Sequence, residues 1–336
     1  MKTWTIRWGA IVIGALLAIA APASAEVRDD EVTTGETRFA SIRGDEAVAY
    51  ASPARVREGR PSRRVPGWAF VEYRGELEEI DGRLYARTDQ GWIAEDDLVR
   101  LVASEFAGVE AAEAPHWPFA WVSPRGRART AVVRAGPSRR AAWVRQIARR
   151  EVVPVLEERD GFVRIADDEW LPVTQVRVAR IARPPRRLSS RARWIDVDLD
   201  QQVLIAYEGE TPVFATLISS GKRRRGTPTG VYRVRYKIEA GRMRSRKESR
   251  GERWDIEDVP HVLKFRERFA LHGVYWHDRF GQRYSHGCVN LSPRDAHRIY
   301  RFARAGRSSG TVVRIRNRHD PTPGWRAFDG KRISRE

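Results

Sequence analysis

The stretch that decides how this chain is read is "LHGVYWHDRFGQRYSHGCVNLS", Leu271 to Ser292. It holds three of the seven histidines, His272, His277 and His286, and the only cysteine, Cys288. One cysteine closes no intramolecular disulfide, so Cys288 is an inert buried thiol, half of an intermolecular bridge, a metal ligand or a nucleophile. A zinc site built from the thiolate and the histidines is chemically reasonable. The His286-Gly287-Cys288 spacing is tighter than ordinary zinc ligand spacing. A nucleophilic thiol needs a neighbouring base, because a free thiol is mostly protonated at neutral pH, and a histidine supplies one. Sixteen positions separate His272 from Cys288, enough to leave a strand, cross a loop and return beside it. Spacing alone does not choose among the histidines. Gly287 allows a tight turn that aims the N–H groups of Gly287 and Cys288 at a developing oxyanion, and thiol, imidazole and such donors together point to acyl transfer through a thioester.

Immediately downstream, "SPRDAHRIYRFARAG" is the one convincing helix: Ser292 is its N-cap, Pro293 its first residue, Asp295 stands in for the Glu of a capping box, and Gly306 terminates it. Upstream, "WIDVDLD" alternates Ile195, Val197 and Leu199 on one face, and "VLIAYEGE", "PVFATLISSG" and "TGVYRVRY" follow as further strands. Lys237 to Asp258 is polar and long for a simple connection, so it is expected to be a flap over a site. "HVLKF" and "FALHG" read as strands, and "GTVVRIRN" closes the domain.

Further towards the N-terminus, "GRLYARTDQGWIAEDDLVRL" and "GFVRIADDEWLPVTQVRVAR" match in layout. Each has a glycine, an alternating strand, a polar turn, a tryptophan (Trp92, Trp170) opening the next strand, and a closing valine-containing strand. They read as the ends of two diverged copies of a small β-barrel. The expected organisation is a signal peptide over 1–25, a flexible lead-in over 26–37, module one over 38–101, a linker over 102–118 and module two over 119–182. A Pro/Arg-rich linker over 183–191, a catalytic domain over 192–317 and a basic tail over 318–336 complete it.

The signal peptide is read from Lys2 and Arg7, a short apolar run and Ala23-Ser24-Ala25, which places the mature start at Glu26 and the protein outside the cytoplasmic membrane. The apolar run is too short to span a bilayer, so stable membrane insertion is not expected. Across 336 residues the formal net charge is +18, which attracts anionic surfaces over distance. The arginines are dispersed and no nucleic-acid-binding motif is present, so nucleic acid is not the expected partner.

The residues His272 and Ser285-His286-Gly287-Cys288-Val289-Asn290 resemble the signature of the YkuD family of L,D-transpeptidases: a histidine, a gap, then Ser/Thr-His-Gly-Cys-hydrophobic-Asn. "VDLDQQVLIAYEGETPVFATLISSGKRRRGTPTGVY", with Gly221 and Thr227-Pro228-Thr229-Gly230, resembles the family's opening. The earlier modules resemble bacterial SH3-like domains, which often bind cell-wall glycan or stem peptide. The fold class implied is mainly β: a β-sandwich-like catalytic domain with a capped helix, preceded by two small SH3-like β-barrels.

The resemblance implies roles that spacing does not. Cys288 is the nucleophile and His272 the general base, oriented by the Gly273 carbonyl. Ser285, His286, Gly287 and Asn290 support the catalytic loop and oxyanion site, and Tyr275, Trp276 and the flap line the donor channel; His277, without a counterpart in the signature, is read as a substrate contact. The implied reaction is attack on the diaminopimelate carbonyl of a peptidoglycan tetrapeptide stem, loss of D-Ala, and transfer to an amine of a second stem or of a wall-attached protein. No metal or cofactor is needed, and the location is the periplasm or cell envelope. A carboxypeptidase using the same residues, or a non-catalytic wall-binding protein, is the alternative.

Overall fold

The structure, a computed structural model, describes residues 37–319 apart from Glu76, Arg127, Arg223, Arg224 and 246–252. The expected signal peptide, the lead-in up to residue 36, the flap tip over 246–252 and the tail from 320 lie outside the described residues. Every described residue falls within one compact unit, Val32–Glu336.

Alternation of apolar residues builds the central sheet of the C-terminal domain. Its strand order is Gly230–Arg233, Val312–Arg316, Arg193–Asp198, Val203–Glu208, Thr211–Leu217 and Val109–Glu110. Arg193–Asp198 and Val312–Arg316 run parallel, and their other neighbours are antiparallel. With a side-chain period of two, Ile195, Val197, Leu204 and Ile315 share one face. They pack there against Leu263, Leu271 and Val289, and against Ala296 and Ile299 of the helix Pro293–Phe302.

The opposite face is buried as well. Trp194, Ile205, Tyr207 and Leu217 pack against Phe119, Trp121 and Ala179 of the second β module. Asp196, also buried, accepts from Arg314 Nε at 2.6 Å and Arg316 Nε at 2.9 Å, and Arg316 reaches Asp198 at 2.8 Å. Arg314 also donates to the Arg183 carbonyl at 2.8 Å, which ties the preceding connection to the sheet. Buried charges paired in this way are costly to break one at a time.

The segment expected to be a plain linker over 102–118 contributes structure. Its Val109–Glu110 pairs with Phe214 and Ala215 as an edge strand. Asp295, expected to complete a capping box, instead accepts from the Gly108 N–H at 2.9 Å and from the Thr216 hydroxyl at 2.5 Å. The N-cap expectation holds, since Ser292 Oγ accepts from Asp295 N at 3.1 Å and Pro293 is the first helical residue. The helix stops at Phe302, ahead of Gly306, where Lys237 Nζ donates to the carbonyls of Tyr300 and Ala303 at 2.6 and 2.8 Å and satisfies two of the helix's terminal acceptors.

The flap is a two-stranded ribbon: Tyr236–Arg244 pairs antiparallel with Asp255–Arg266. "HVLKF" is therefore the far end of one twelve-residue strand, not a separate element. Left-handed backbone at Asp258 and His261 accommodates its bends.

Each β module has eight strands among the described residues. The first ends with Gly91–Ala94, a 3-10 turn over Glu95–Asp97, and Leu98–Leu101. The second ends with Glu169–Pro172, a 3-10 turn over Val173–Gln175, and Val176–Ala179, so the sequence repeat has a structural counterpart. The first module is continuous with the C-terminal domain. Its strand Ala69–Arg74 pairs in parallel with Asp255–Arg266, Asp255 opposite Ala69 and Ile256 opposite Phe70, so one sheet runs along the second strand of the ribbon to Phe269–Gly273 and Val289–Leu291.

Candidate active site

Two neighbouring strands position the chemistry. Phe269–Gly273 and Val289–Leu291 are parallel, with His272 opposite Asn290. Gly273 is required by crowding, because a Cβ there would lie 2.8 Å from Pro260 Cγ and 3.0 Å from Ala296 Cβ.

The loop entering the second strand is held from inside. Ser285 Oγ donates to the Cys288 carbonyl at 2.5 Å and accepts from the Gly287 N–H at 3.0 Å. Thr227 Oγ1 donates to the Gly287 carbonyl at 2.8 Å and accepts from Gly221 N at 3.0 Å, so the Thr-Pro-Thr-Gly element braces the cysteine loop. Gly287 has φ +126°, and a Cβ on it would meet Phe269 Cε1 at 2.6 Å.

His272 is buried, and its Nδ1 lies 2.9 Å from the Gly273 carbonyl. A carbonyl only accepts, so Nδ1 carries the proton and Nε2 keeps its lone pair. Asn290 Nδ2 donates to that Nε2 at 3.0 Å, and Asn290 Oδ1 accepts from His277 Nε2 at 3.1 Å. The chain of bonds ends where Arg279 N–H donates to His277 Nδ1 at 3.2 Å. Burial pushes His272 down to about 4, so it is a neutral acceptor at neutral pH.

Cys288 is half-buried and its thiol points to the Arg268 carbonyl at 3.8 Å. Burial raises its pKa, while the Ala270 N–H and the Lys264 charge act in the opposite direction. The resting pair is thus a thiol and a neutral imidazole. Both line one cavity of about 980 Å³. No hydrogen bond joins them among the described residues; the Asn290 amide occupies the imidazole nitrogen instead. Resting-state catalytic contacts are often long and tighten when substrate arrives.

The Gly287 N–H, expected as an oxyanion donor, donates to Ser285 Oγ in this geometry. His286 lines the cavity as an exposed side chain, its ring 6.1 Å from Trp254. Tyr275 does not line the cavity; it is buried, stacks on Phe39 at 3.8 Å, and donates to the Glu257 carbonyl at 2.6 Å. Trp276, His277 and Asn290 do line it.

Met243 and Trp254 of the expected flap line the cavity too, whereas Lys264 and Arg268 near the thiol and Trp68 and Phe70 of the first module escaped the sequence reading. Nothing in the local sequence around Trp68 signals a site some two hundred residues away. Among the described residues no cluster of three or more His, Cys, Asp or Glu side chains is placed to hold a metal ion. No helix of the described residues is long and apolar enough to cross a membrane.

Residues 192–315 match the family model of YkuD, the L,D-transpeptidase catalytic domain. No curated protein matches the chain. Among solved structures, a mutant of the Enterococcus faecium L,D-transpeptidase is 24% identical over 37% of this chain and 50% of its own, with a TM-score of 0.33. An L,D-transpeptidase from Mycobacterium smegmatis is 19% identical over 46% of this chain and 76% of its own, TM-score 0.34. One from Xylanimonas cellulosilytica is 28% identical over 40% of this chain and 64% of its own, TM-score 0.30. The chain thus spans half the length of the Enterococcus protein.

Proposed function

We propose that this chain is a peptidoglycan L,D-transpeptidase acting in the cell envelope, with Cys288 as nucleophile and His272 as general base. The observation that carries the reading is that a thiol and a buried, neutral, lone-pair-bearing imidazole line one cavity within a segment matching the L,D-transpeptidase catalytic domain.

In this reading the carbonyl carbon of diaminopimelate in a tetrapeptide stem sits beside Sγ. The thiol proton passes to His272 Nε2 as the Asn290 amide gives way, and the C–S bond forms. The oxyanion takes the Cys288 N–H, and Ser285 and Thr227 keep that donor in place. Collapse of the tetrahedral adduct expels D-Ala, whose amine receives the proton from His272. An acceptor amine then attacks the thioester, and His272 takes its excess proton and returns it to Sγ as the C–S bond breaks, which releases the thiol. The Gly273 carbonyl holds the imidazole in one tautomer throughout. We read the two β modules as SH3-like and the N-terminal segment as an export signal.

Mass spectrometry of the chain incubated with tetrapeptide muropeptide, with and without an amine acceptor, tests this. The expected result is a Cys288-linked acyl adduct and crosslinked dimers, both absent from Cys288→Ala. Release of D-Ala without dimers assigns the chain to hydrolysis, and no adduct and no release overturns the reading.

A further inference from the structure

The first β module does more than precede the cavity. Trp68 and Phe70 line it together with Cys288 and His272, although they lie in a different module. Phe70 is held there by the parallel pairing with Ile256 and lies 6.1 Å, ring to ring, from Trp276.

The junction behind them is fixed by polar contacts as well. The buried Glu257 accepts from the Glu72 N–H at 3.2 Å and from Gln90 Nε2 at 2.6 Å, both in the first module. Its carboxylate also faces Arg242 Nη1 of the ribbon at 3.7 Å. Phe39 stacks on Tyr275 three residues beyond the proposed base. A wall held by a strand pairing, two hydrogen bonds and a ring stack is preorganised for a ligand.

Charge narrows what lies against it. Arg242 and Arg244 are paired with Asp255. Arg225, Arg253, Lys264 and Arg268 line the same cavity with no ion-pair partner among the described residues, and the acid Glu267 shares it. Among the described residues these four cations outnumber the one acid, which favours a carboxylate-bearing ligand and opposes a cationic one that would otherwise sit on the indole. Trp68 is 37% exposed, so its indole offers apolar area that the protein itself does not cover. A cavity of about 980 Å³ lies at the top of the range filled by compact ligands, leaving room beyond a short peptide. The apolar C–H face of a pyranose fits a tryptophan beside cations that hold carboxylates.

We propose that the first β module is a working wall of the catalytic groove, in which Trp68 positions the sugar end of a sugar-linked, carboxylate-bearing stem-peptide donor. This rests on the transpeptidase reading for the identity of the donor, and binding is therefore measured apart from catalysis. The full chain carrying Cys288→Ser is titrated calorimetrically with disaccharide-tetrapeptide and with the same tetrapeptide lacking the disaccharide.

Adding Trp68→Ala is expected to weaken the sugar-linked ligand by about fivefold, the size of one aromatic contact, and to leave the sugar-free peptide within about twofold. Trp68→Phe restores part of the loss. Trp143→Ala, an exposed tryptophan of the second module, changes neither. Equal weakening of both ligands, no weakening of either, or no binding of either overturns the proposal. Trp68-dependent binding combined with no acyl adduct from the chain with Cys288 intact discards the transpeptidase reading and keeps this wall.

Discussion

At the scale of single residues, the site rests as an uncharged pair. Cysteine sites that run as a thiolate and an imidazolium stay reactive well below the ordinary thiol pKa. Here burial raises Cys288 and lowers His272, and the two shifts both disfavour the charged pair. Alkylation of Cys288 by iodoacetamide is therefore expected to climb about tenfold per pH unit from pH 7 to pH 9, with no plateau in that range. Peptide mass mapping of timed reactions checks this, and a plateau at or below pH 7 would show that an ion pair forms. The crowding of histidines around the one cysteine was legible because residue types and their order carry that information. The Asn290 amide between the two histidines was not, since it depends on which side chains meet across the Phe269–Gly273 and Val289–Leu291 pairing.

At the scale of elements, the helix Pro293–Phe302 shows how a local rule is overtaken by a distant partner. Ser-Pro-x-Asp predicts the helix start, and the start is where the rule places it. The Asp295 carboxylate then leaves its own helix to hold Gly108 and Thr216, and burial raises it to about 6. Asp295→Ala strands a part-buried N–H and a buried hydroxyl and is expected to cost about 2–4 kcal/mol of stability. Glu110→Ala removes the bond to Arg298 on the same strand junction, but both groups are partly exposed, and the expected cost is under about 1 kcal/mol. Urea unfolding of the two variants measures the contrast, and equal losses would mean that Asp295 is not the anchor of the Val109–Glu110 strand. The flap was legible by composition, whereas its form as a ribbon was not, because cross-strand pairing supplies the order that its own residues lack.

At the scale of the whole molecule, burial of ionisable groups sets the response to acid. Burial lowers His261, His272 and His277 each to about 4, below the usual value near 6.5. Between those values the unfolded chain binds more protons than the folded one, so stability falls as pH drops from 6.5 to 4. Asp295, raised to about 6, and Glu257, also raised by burial, act with the opposite sign, because the folded state protonates them first. Three groups outweigh two, and the melting temperature is expected to fall steadily across that window. Scanning calorimetry at half-unit pH steps measures it; a flat or rising trace would show that the carboxyls dominate.

What the sequence by itself determined is the local and the chemical. The alternation around Ile195 and Val197, the N-cap of the helix, the repeat ending at Leu101 and Ala179, and the crowding of histidines around the cysteine in one short segment are written in local sequence. Periodicity and turn chemistry act at that range. What only the tertiary structure decided is which surfaces close on one another. The second module covers the far face of the catalytic sheet, Val109–Glu110 extends its edge, and the first module brings Trp68 and Phe70 into the cavity of Cys288. Those contacts join residues separated by up to about two hundred positions, through apolar burial and strand pairing that have no signature at either end alone.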